Sequence, residues 1–276
     1  MDFIPEPAPT IRQLLAFYLE AGVDCALADD PVDRLAEPEF VPAAIIQRET
    51  APPRLVKETP AAIAAVPRSE IAPPPEAAIA IAREAARTAP TLEELRALLE
   101  NFDGCALKNT ATRLVFADGN PEARIMFVGE APGRDEDIEG LPFVGRSGKL
   151  LDRMIAAIGL DRSKAYIANV IPWRPPGNRT PTPQETQVCL PFIRRQIELV
   201  NPDVLVCLGN PSSQTLLGTK EGIMRTRGKW LDYDTGTRSI RAIATFHPAY
   251  LLRSPAYKRM SWQDLRAVAK VLAQAP

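Results

Sequence analysis

The chain has 276 residues, of which 46% are hydrophobic and 24% charged, a composition typical of a globular domain with an appendage. No apolar run approaches the roughly 20 residues needed to cross a bilayer, and the N-terminus lacks the basic and apolar regions of a secretory signal. The cysteines, Cys25, Cys105, Cys189 and Cys207, show no disulfide-framework spacing. We therefore expect a cytoplasmic protein without a membrane partner.

The net charge of −1 conceals an asymmetry along the chain. Residues 1–90 contain 14 acidic and 8 basic side chains, whereas residues 91–276 contain 20 acidic and 25 basic ones. A mildly basic domain behind an acidic arm is compatible with a nucleic-acid partner, although this excess alone is weak evidence.

The N-terminal region is predicted to lie outside the main domain. A helix is expected within residues 1–28, from Thr10 as N-cap to Gly22 as stop signal. Residues 29–75 are rich in Pro and Ala and are predicted to be a linker, because this composition cannot bury a core. A solvated spacer and a tail that binds an unknown partner both remain open. The catalytic domain is predicted to span residues 76–276.

Within that domain, apolar strands alternate with amphipathic helices. Helices are predicted at 76–88, 92–102, 147–158, 184–200 and 261–274. Buried strands are predicted at 125–128, 165–171, 203–208 and 239–246, with further strands at 113–116 and 229–234. Alternation of this kind favours a three-layer αβα sandwich with a central four-stranded parallel sheet.

The most informative segment is 124–151, RIMFVGEAPGRDEDIEGLPFVGRSGKLL. A short buried strand ends at Gly129 in an acidic, Gly-rich loop, which is followed by a helix. Ligands of open α/β sheets bind at such positions. The loop lacks the GxGxxG and Gly-Lys-Ser/Thr patterns, and its acids would repel a phosphate. It therefore indicates carboxylate chemistry on a tightly held ligand.

Polar residues follow the other predicted strands as well. Asn169 ends the second strand, Gly209 and Asn210 follow the third, and His247 follows the fourth. Because the carboxyl ends of parallel strands share one edge of a sheet, these side chains are expected to face the acidic loop. His247 is the only histidine in the chain, and this position indicates a functional role.

Three motifs resemble those of the family 4 uracil-DNA glycosylases. They are GEAPGRDEDIEGLPFVGRSGKLL, NVI-x-x-RPPGNRTPTPQE and FHPAYLLRSP, which occur in the family's order and extend the similarity from about residue 100 to the C-terminus. The resemblance implies a uracil-DNA glycosylase-like fold and a monofunctional DNA repair enzyme that binds uracil-containing DNA. Such an enzyme flips uracil out of the helix and hydrolyses its N-glycosidic bond with water, leaving an abasic site.

The resemblance also implies roles for particular residues. Glu136 would orient the attacking water and stabilise the cationic sugar, and His247 would donate a hydrogen bond to a uracil oxygen. Asn169 would read the base edge, since its amide suits O4 and N3–H of uracil, and Phe143 would stack on the base. The remaining uracil-binding residues are expected to be Glu130, Ala131 and Gly133. Gly133 is expected to leave open space beside the base.

DNA contacts are implied for two groups of residues. Leu251, Leu252 and Arg253 resemble the family's wedge loop, which fills the hole that the flipped base leaves in the duplex. Arg146 and Arg179 are expected to bind phosphates.

The sequence departs from the family at the ligands of a [4Fe–4S] cluster. The family uses four cysteines, but Phe102 and Cys105 occupy the first C-x2-C pair, and Trp173 and Cys189 occupy the second pair. Two thiolates do not complete the usual set of four. We therefore predict a cluster-free protein in which Phe102 and Trp173 pack where the cluster would lie.

The sequence also bears on other classes of function. The chain reads PPGNRTPTPQ where a related group has KRRIH, so covalent capture of the abasic sugar is not expected. A protein that binds uracil or abasic sites with little catalysis is the alternative. A nucleotide hydrolase or transferase is disfavoured because the sequence has no phosphate loop. A monomer is expected.

Overall fold

The computed structural model describes residues 75–274. The predicted N-terminal helix and nearly all of the predicted linker lie outside these residues, so the proposed domain division stays a prediction. Among the described residues, no helix has both the length and the apolar character needed to cross a membrane.

Strands and helices alternate along the described chain. The strands are β1 (Ala117–Gly119), β2 (Ile125–Gly129), β3 (Tyr166–Asn169), β4 (Val204–Leu208), β5 (Trp230–Asp234) and β6 (Ser239–Thr245). The helices are α1 (Pro75–Thr88), α2 (Leu92–Glu100), α3 (Arg134–Glu139), α4 (Arg146–Ala156), α5 (Pro183–Val200), α6 (Asn210–Leu217), α7 (Ile223–Thr226), α8 (Pro248–Arg253) and α9 (Lys258–Gln274). Short 3-10 turns lie at Ala106–Asn109, Arg162–Lys164, Pro176–Asn178 and Pro255–Tyr257.

The strands form one sheet in the order β1-β3-β2-β4-β6-β5. The four central strands are parallel, which confirms the predicted α/β class and parallel core. The sheet nevertheless has six strands, because β1 and β5 pair antiparallel at its two edges. The short strand expected at 113–116 was misplaced, since the pairing with β3 begins only at Ala117.

Alternating side chains of the central strands bury the two faces of the sheet in separate cores. On β2, Met126 and Val128 join a core with α1, α2 and α5, whereas Ile125 and Phe127 join a core with α4 and α9. This period of two places helices on both faces and gives the predicted three layers. Each fully buried large apolar side chain stabilises the fold by roughly 1.5–3 kcal/mol.

Local signals fix the ends of α5, which crosses one face of the sheet. Thr182 caps its first turn and exchanges side-chain and backbone hydrogen bonds with Glu185, while Pro183 occupies the first helical position. Asn201 ends the helix in a left-handed conformation, with φ +48°. The helix therefore holds the buried Cys189 at a fixed place against the sheet.

Candidate active site

A cavity of about 510 Å³ opens where the parallel strands end. It is lined by residues that follow β2, β3, β4 and β6, among them Glu130, Glu136, Phe143, Asn169, Asn210 and His247. Ala131, Gly133, Arg179 and Arg253 also line it. The structure thus brings together the side chains that the strand-end pattern predicted, at a single edge of the sheet.

His247 is held as a neutral hydrogen-bond donor. It is the N-cap of α8, and its Nδ1 accepts a hydrogen bond from the backbone N–H of Ala249 at 3.1 Å. Burial, reinforced by the charge of Arg253, lowers the pKa of His247 to about 4. With Nδ1 acting as an acceptor, the ring proton lies on Nε2. A neutral N–H donor therefore serves the cavity at physiological pH.

Asn169 contributes an unpaired amide to the same cavity. The residue is 4% exposed, and its Oδ1 is buried without a hydrogen-bond partner among the described residues. Buried polar atoms are normally paired, so this oxygen is suited to accept a hydrogen bond from a ligand. A Cβ on Gly129 would lie only 2.4 Å from Oδ1, which explains why glycine ends β2.

Phe143 forms the wall next to Asn169 and His247. Its ring stacks on the imidazole of His247, with 5.4 Å between ring centroids and 30° between ring planes. Its Cζ would lie 2.6 Å from a Cβ on Gly129, so the aromatic ring and the Asn169 amide converge on the end of β2. An aromatic face beside a free amide edge suits a planar, hydrogen-bonding ring.

The backbone of Phe143 is strained and specifically supported. Its φ of +55° is uncommon for a bulky residue. Arg162 donates hydrogen bonds to the carbonyl oxygens of Pro142 and Phe143. Gly148 permits this conformation, because a Cβ there would meet the Phe143 oxygen at 1.6 Å. The supporting role of Arg162 is not visible in the sequence, since this residue lies outside the acidic loop.

Glu136 is buried and engaged by backbone donors. Its carboxylate accepts hydrogen bonds from the N–H groups of Gly133, Val144 and Gly145 at 3.0–3.1 Å, and the residue is 7% exposed. These bonds join the start of α3 to the start of α4. A carboxylate has about four acceptor positions, so one remains for a water molecule. The structure thus gives Glu136 a loop-fixing role, and its predicted role towards water and the sugar stays a prediction.

The predictions for three other residues of this loop have different outcomes. The open space expected at Gly133 is wrong, because a Cβ there would lie 2.7 Å from Oε2 of Glu136. Glu130 lines the cavity as expected, and burial raises the pKa of its carboxyl group. Ala131 is half-buried in the cavity wall.

Asp137 is a structural residue that the sequence did not distinguish from its exposed acidic neighbours. The side chain is buried and accepts hydrogen bonds from the Thr112 backbone N–H at 2.8 Å, the Thr112 hydroxyl at 2.9 Å and the Arg113 N–H at 3.3 Å. It therefore ties α3 to the segment that follows Cys105.

Some of the predicted DNA-binding residues are exposed, whereas others are buried or paired with a neighbouring side chain. Leu252 is 37% exposed, and Arg146 and Arg253 are exposed, so all three are available to DNA. Leu251 is only 1% exposed because it faces inward from α8, which corrects its assignment to the wedge. Arg179 lies at the cavity but forms a bidentate ion pair with Glu185, at 2.7 and 2.9 Å.

The four positions that correspond to cluster ligands all lie in one hydrophobic core. Phe102 packs edge-to-face on Phe192 at 5.1 Å, and Trp173 is 2% exposed. The Phe102 ring also lies over Gly104, where a Cβ would meet its Cζ at 2.3 Å. Within the described residues, no group of three or more His, Cys, Asp or Glu side chains could hold a metal. These residues do not fit a four-thiolate cluster.

Sequence reasoning missed several residues that line the cavity. Asn178, with φ +55°, belongs to the Pro-Gly-Asn turn, and its Oδ1 accepts a hydrogen bond from Arg174 at 2.7 Å. Tyr250 also faces the cavity from α8. Asn210, which the strand-end pattern did predict, has a buried Oδ1 without a hydrogen-bond partner among the described residues. The Gly-Asn pair could have indicated Asn178, since Asn tolerates the left-handed conformation.

The fold and cavity define an α/β protein with a site suited to a planar ring, where a neutral imidazole donor and an unpaired amide oxygen lie close to carboxylates. Comparison with known families makes the class specific. Residues 116–266 match the Uracil DNA glycosylase superfamily, and the chain belongs to it.

The relatives with substantial similarity include three Type-4 uracil-DNA glycosylases. The chain is 42% identical to the Type-4 uracil-DNA glycosylase of Archaeoglobus fulgidus over 171 residues, which cover 60% of this chain and 86% of that protein. It is 43% identical to the Type-4 uracil-DNA glycosylase of Thermotoga maritima over 182 residues, covering 63% and 93%. The corresponding enzyme of Saccharolobus solfataricus is 40% identical over 177 residues, covering 62% and 82%.

Proposed function

We propose that this protein is a uracil-DNA glycosylase that hydrolyses the N-glycosidic bond of uracil in DNA and leaves an abasic site. The family match and the Type-4 relatives support this activity. The observation that carries the proposal is the unpaired amide oxygen of Asn169 in the same cavity as the neutral His247. Uracil offers N3–H to the first and a carbonyl oxygen to the second.

The geometry suggests how this chain stabilises the transition state. Cleavage moves the electron pair of the N1–C1′ bond onto uracil, and negative charge develops on its oxygens while the sugar becomes cationic. The Nε2–H of His247 donates a hydrogen bond to a charged oxygen. The carboxylate of Glu136 stabilises the sugar cation and orients the water that attacks C1′. The water proton then leaves to solvent.

A cluster-free mode of action is part of the proposal. Phe102 and Trp173 fill an apolar core beside Cys105 and Cys189, and burial of such side chains stabilises the surrounding loops without metal. Anaerobic purification followed by iron and acid-labile sulfide assays tests this. About four irons per chain would show that a cluster forms despite the two replaced thiols.

We further propose that the protein acts as a monomer in the cytoplasm. Leu252, Arg146 and Arg253 are exposed next to the cavity or on adjoining segments, where they are available to the substrate duplex. Light scattering at micromolar concentration tests the monomer, and a dimer that buries these residues would contradict it.

A single-turnover assay tests the proposed activity. Excess enzyme is mixed with an oligonucleotide that contains one deoxyuridine, and abasic product is revealed by alkaline cleavage. We expect product from deoxyuridine and none from deoxycytidine, because cytosine presents an acceptor at N3 and a donor at N4. Tight binding without any abasic product would instead support the alternative of a uracil- or abasic-site-binding protein.

Two variants test the proposed roles. Glu136→Gln and His247→Ala should each slow cleavage by roughly 100-fold or more while changing DNA affinity only a few-fold, because both residues act on transition-state charge. Thermal unfolding of each variant checks that it remains folded. A loss confined to affinity would contradict the role assigned to that residue.

A further inference from the structure

Two buried thiols lie in contact at the degenerate ligand positions. The Sγ atoms of Cys105 and Cys189 are 3.8 Å apart, and the residues are 84 positions apart in the chain. Cys105 precedes the 3-10 turn at Ala106–Asn109, and Cys189 lies within α5. Both are buried free thiols. Neither residue lines the cavity, so the proposed glycosylase chemistry leaves this pair unused.

The surroundings of the pair do not complete a metal-binding group. Within residues 75–274, no third His, Cys, Asp or Glu side chain joins the two thiols in a metal-binding group. Phe102 and Trp173 instead occupy the same apolar core. The third described cysteine, Cys207, lies within β4 and is also buried and unbridged.

We propose that Cys105 and Cys189 form a redox-active dithiol, a site at which a two-electron oxidant such as hydrogen peroxide closes a reversible disulfide. A disulfide has sulfurs about 2.05 Å apart, so side-chain rotation must bring the two Sγ atoms together by about 2 Å. The proposal is independent of the proposed glycosylase activity.

Oxidation of the pair by hydrogen peroxide takes two steps. The Cys105 thiolate attacks one peroxide oxygen, the O–O bond breaks, and hydroxide leaves and takes up the thiol proton as water. The Cys105 sulfenic acid is then attacked by the Cys189 sulfur, which forms the S–S bond and releases a second water. Two thiols and one peroxide give one disulfide and two waters. A dithiol reductant reverses the change by exchange.

The hydrogen bond between the sulfurs assigns the order of attack. The Cys189 S–H donates to the Cys105 sulfur, which lowers the pKa of Cys105. The same hydrogen bond, followed by burial, raises the pKa of Cys189. Cys105 is therefore the attacking thiolate and Cys189 the resolving thiol.

The crosslink would act on the segment that supports the catalytic loop. Cys105 is followed by Thr112 and Arg113, whose N–H groups hold Asp137 at the base of α3. A bond from Cys105 to Cys189 would fasten this segment to α5. It would also close a loop of 84 residues. A disulfide that closes a longer loop restricts the unfolded state more, so the stabilisation is expected to be large.

The test uses the full-length chain with Cys25→Ser, so that the N-terminal thiol cannot contribute. Peroxide treatment should remove 2 Da from the intact mass, and non-reducing peptide mapping should recover a Cys105–Cys189 crosslink. The thermal unfolding midpoint should rise by roughly 5–10 °C and return after dithiothreitol treatment. Cys207→Ala should behave in the same way, whereas Cys105→Ser and Cys189→Ser should show neither change.

Several outcomes would overturn the inference. They are an unchanged mass, a gain of 16 or 32 Da without crosslinking, or a crosslink that involves Cys207. Anaerobically purified protein with about four irons per chain would make the two thiols cluster ligands and would equally exclude a dithiol role. Because these readouts are masses and melting temperatures, they are separate from the presence or absence of uracil excision.

Discussion

In the proposed mechanism, His247 acts as an uncharged hydrogen-bond donor. Its Nδ1 caps α8 by accepting the Ala249 N–H, so protonation would place two donors face to face. Burial already disfavours the imidazolium and lowers the pKa to about 4. A neutral donor can strengthen its hydrogen bond as the uracil anion forms, and it gives up no proton in doing so.

The titration of His247 can be measured directly, since the chain contains one histidine. We predict that the imidazole NMR signals stay in the neutral form from pH 8 down to about pH 5 and titrate near pH 4. Because an unfolded histidine titrates near pH 6.5, the stability from the neutral ring is complete above pH 6.5. That stability, about 3 kcal/mol, is lost between pH 6.5 and 4. Titration near pH 6.5 in the folded protein would contradict this structure of the site.

The two leucines after His247 provide a matched pair for the wedge. Leu251 is buried, so Leu251→Ala should lower the free energy of unfolding by about 2–4 kcal/mol in urea titrations. Leu252 is exposed, so Leu252→Ala should leave stability within about 0.5 kcal/mol. The same variant should slow excision from duplex DNA roughly tenfold while leaving single-stranded substrate unaffected. If Leu252→Ala slowed excision equally from duplex and single-stranded DNA, the proposed wedge role of Leu252 would be contradicted.

Individual residues differed in how far the sequence could predict them. The strand ends predicted that Asn169 and His247 would lie close together, and both line the cavity because parallel strands terminate there. Leu251 was assigned wrongly, since the sequence of a six-residue helix does not reveal which of two adjacent leucines faces the core. Arg162 was missed because its role depends on a contact with Phe143, which lies 19 residues away in the chain. Asn178 was missed although its contact with Arg174 is local, because the conformation of the Pro-rich turn was not predicted.

The acidic loop is held by two buried carboxylates with different anchors. Glu136 fastens the loop to the start of α4, and Asp137 fastens it to Thr112 and Arg113. Each carboxylate satisfies backbone N–H groups that would otherwise lack partners at the ends of short elements. The loop therefore presents a fixed surface to the cavity.

Adjacent acids on α3 allow this anchoring to be tested. Asp137→Ala should lower the free energy of unfolding by about 2 kcal/mol and reduce single-turnover cleavage, because charged acceptors of several N–H groups are lost. Asp135 is exposed, and Asp135→Ala should change stability by no more than about 0.5 kcal/mol. Similar losses of stability and cleavage in both variants would contradict the role of the Asp137 contacts. They would mean that the negative charge of the loop is responsible.

Elements with an apolar pattern were predicted well, and short polar elements were not. The parallel strands follow continuous apolar runs, and the helix α5 follows capping signals and a long amphipathic pattern. The helix α3 has six residues, five of them Arg, Asp or Glu, and gives no hydrophobic period. The edge strand β1 reads Ala-Asp-Gly, a composition typical of turns, and is formed only by its pairing with β3.

At the scale of the whole domain, the protein has the α/β architecture of its family, and an apolar core occupies the positions that correspond to the family's cluster ligands. The core around Phe102 and Trp173 is continuous with the core that packs α1, α2 and α5 on the sheet. The absence of a side chain at Gly104 leaves room for the Phe102 ring, which stands where the family has a cysteine. Apolar packing can therefore hold the segments that four thiolates and iron would otherwise join.

The most direct measurement is single-turnover excision by a sample whose iron content is measured on the same preparation. Support of the loop by apolar packing predicts stoichiometric abasic product from a deoxyuridine oligonucleotide at less than about 0.1 iron per chain, with no change after chelator treatment. Folded, iron-free protein that yields no abasic product, or activity that rises in proportion to about four bound irons, would contradict it.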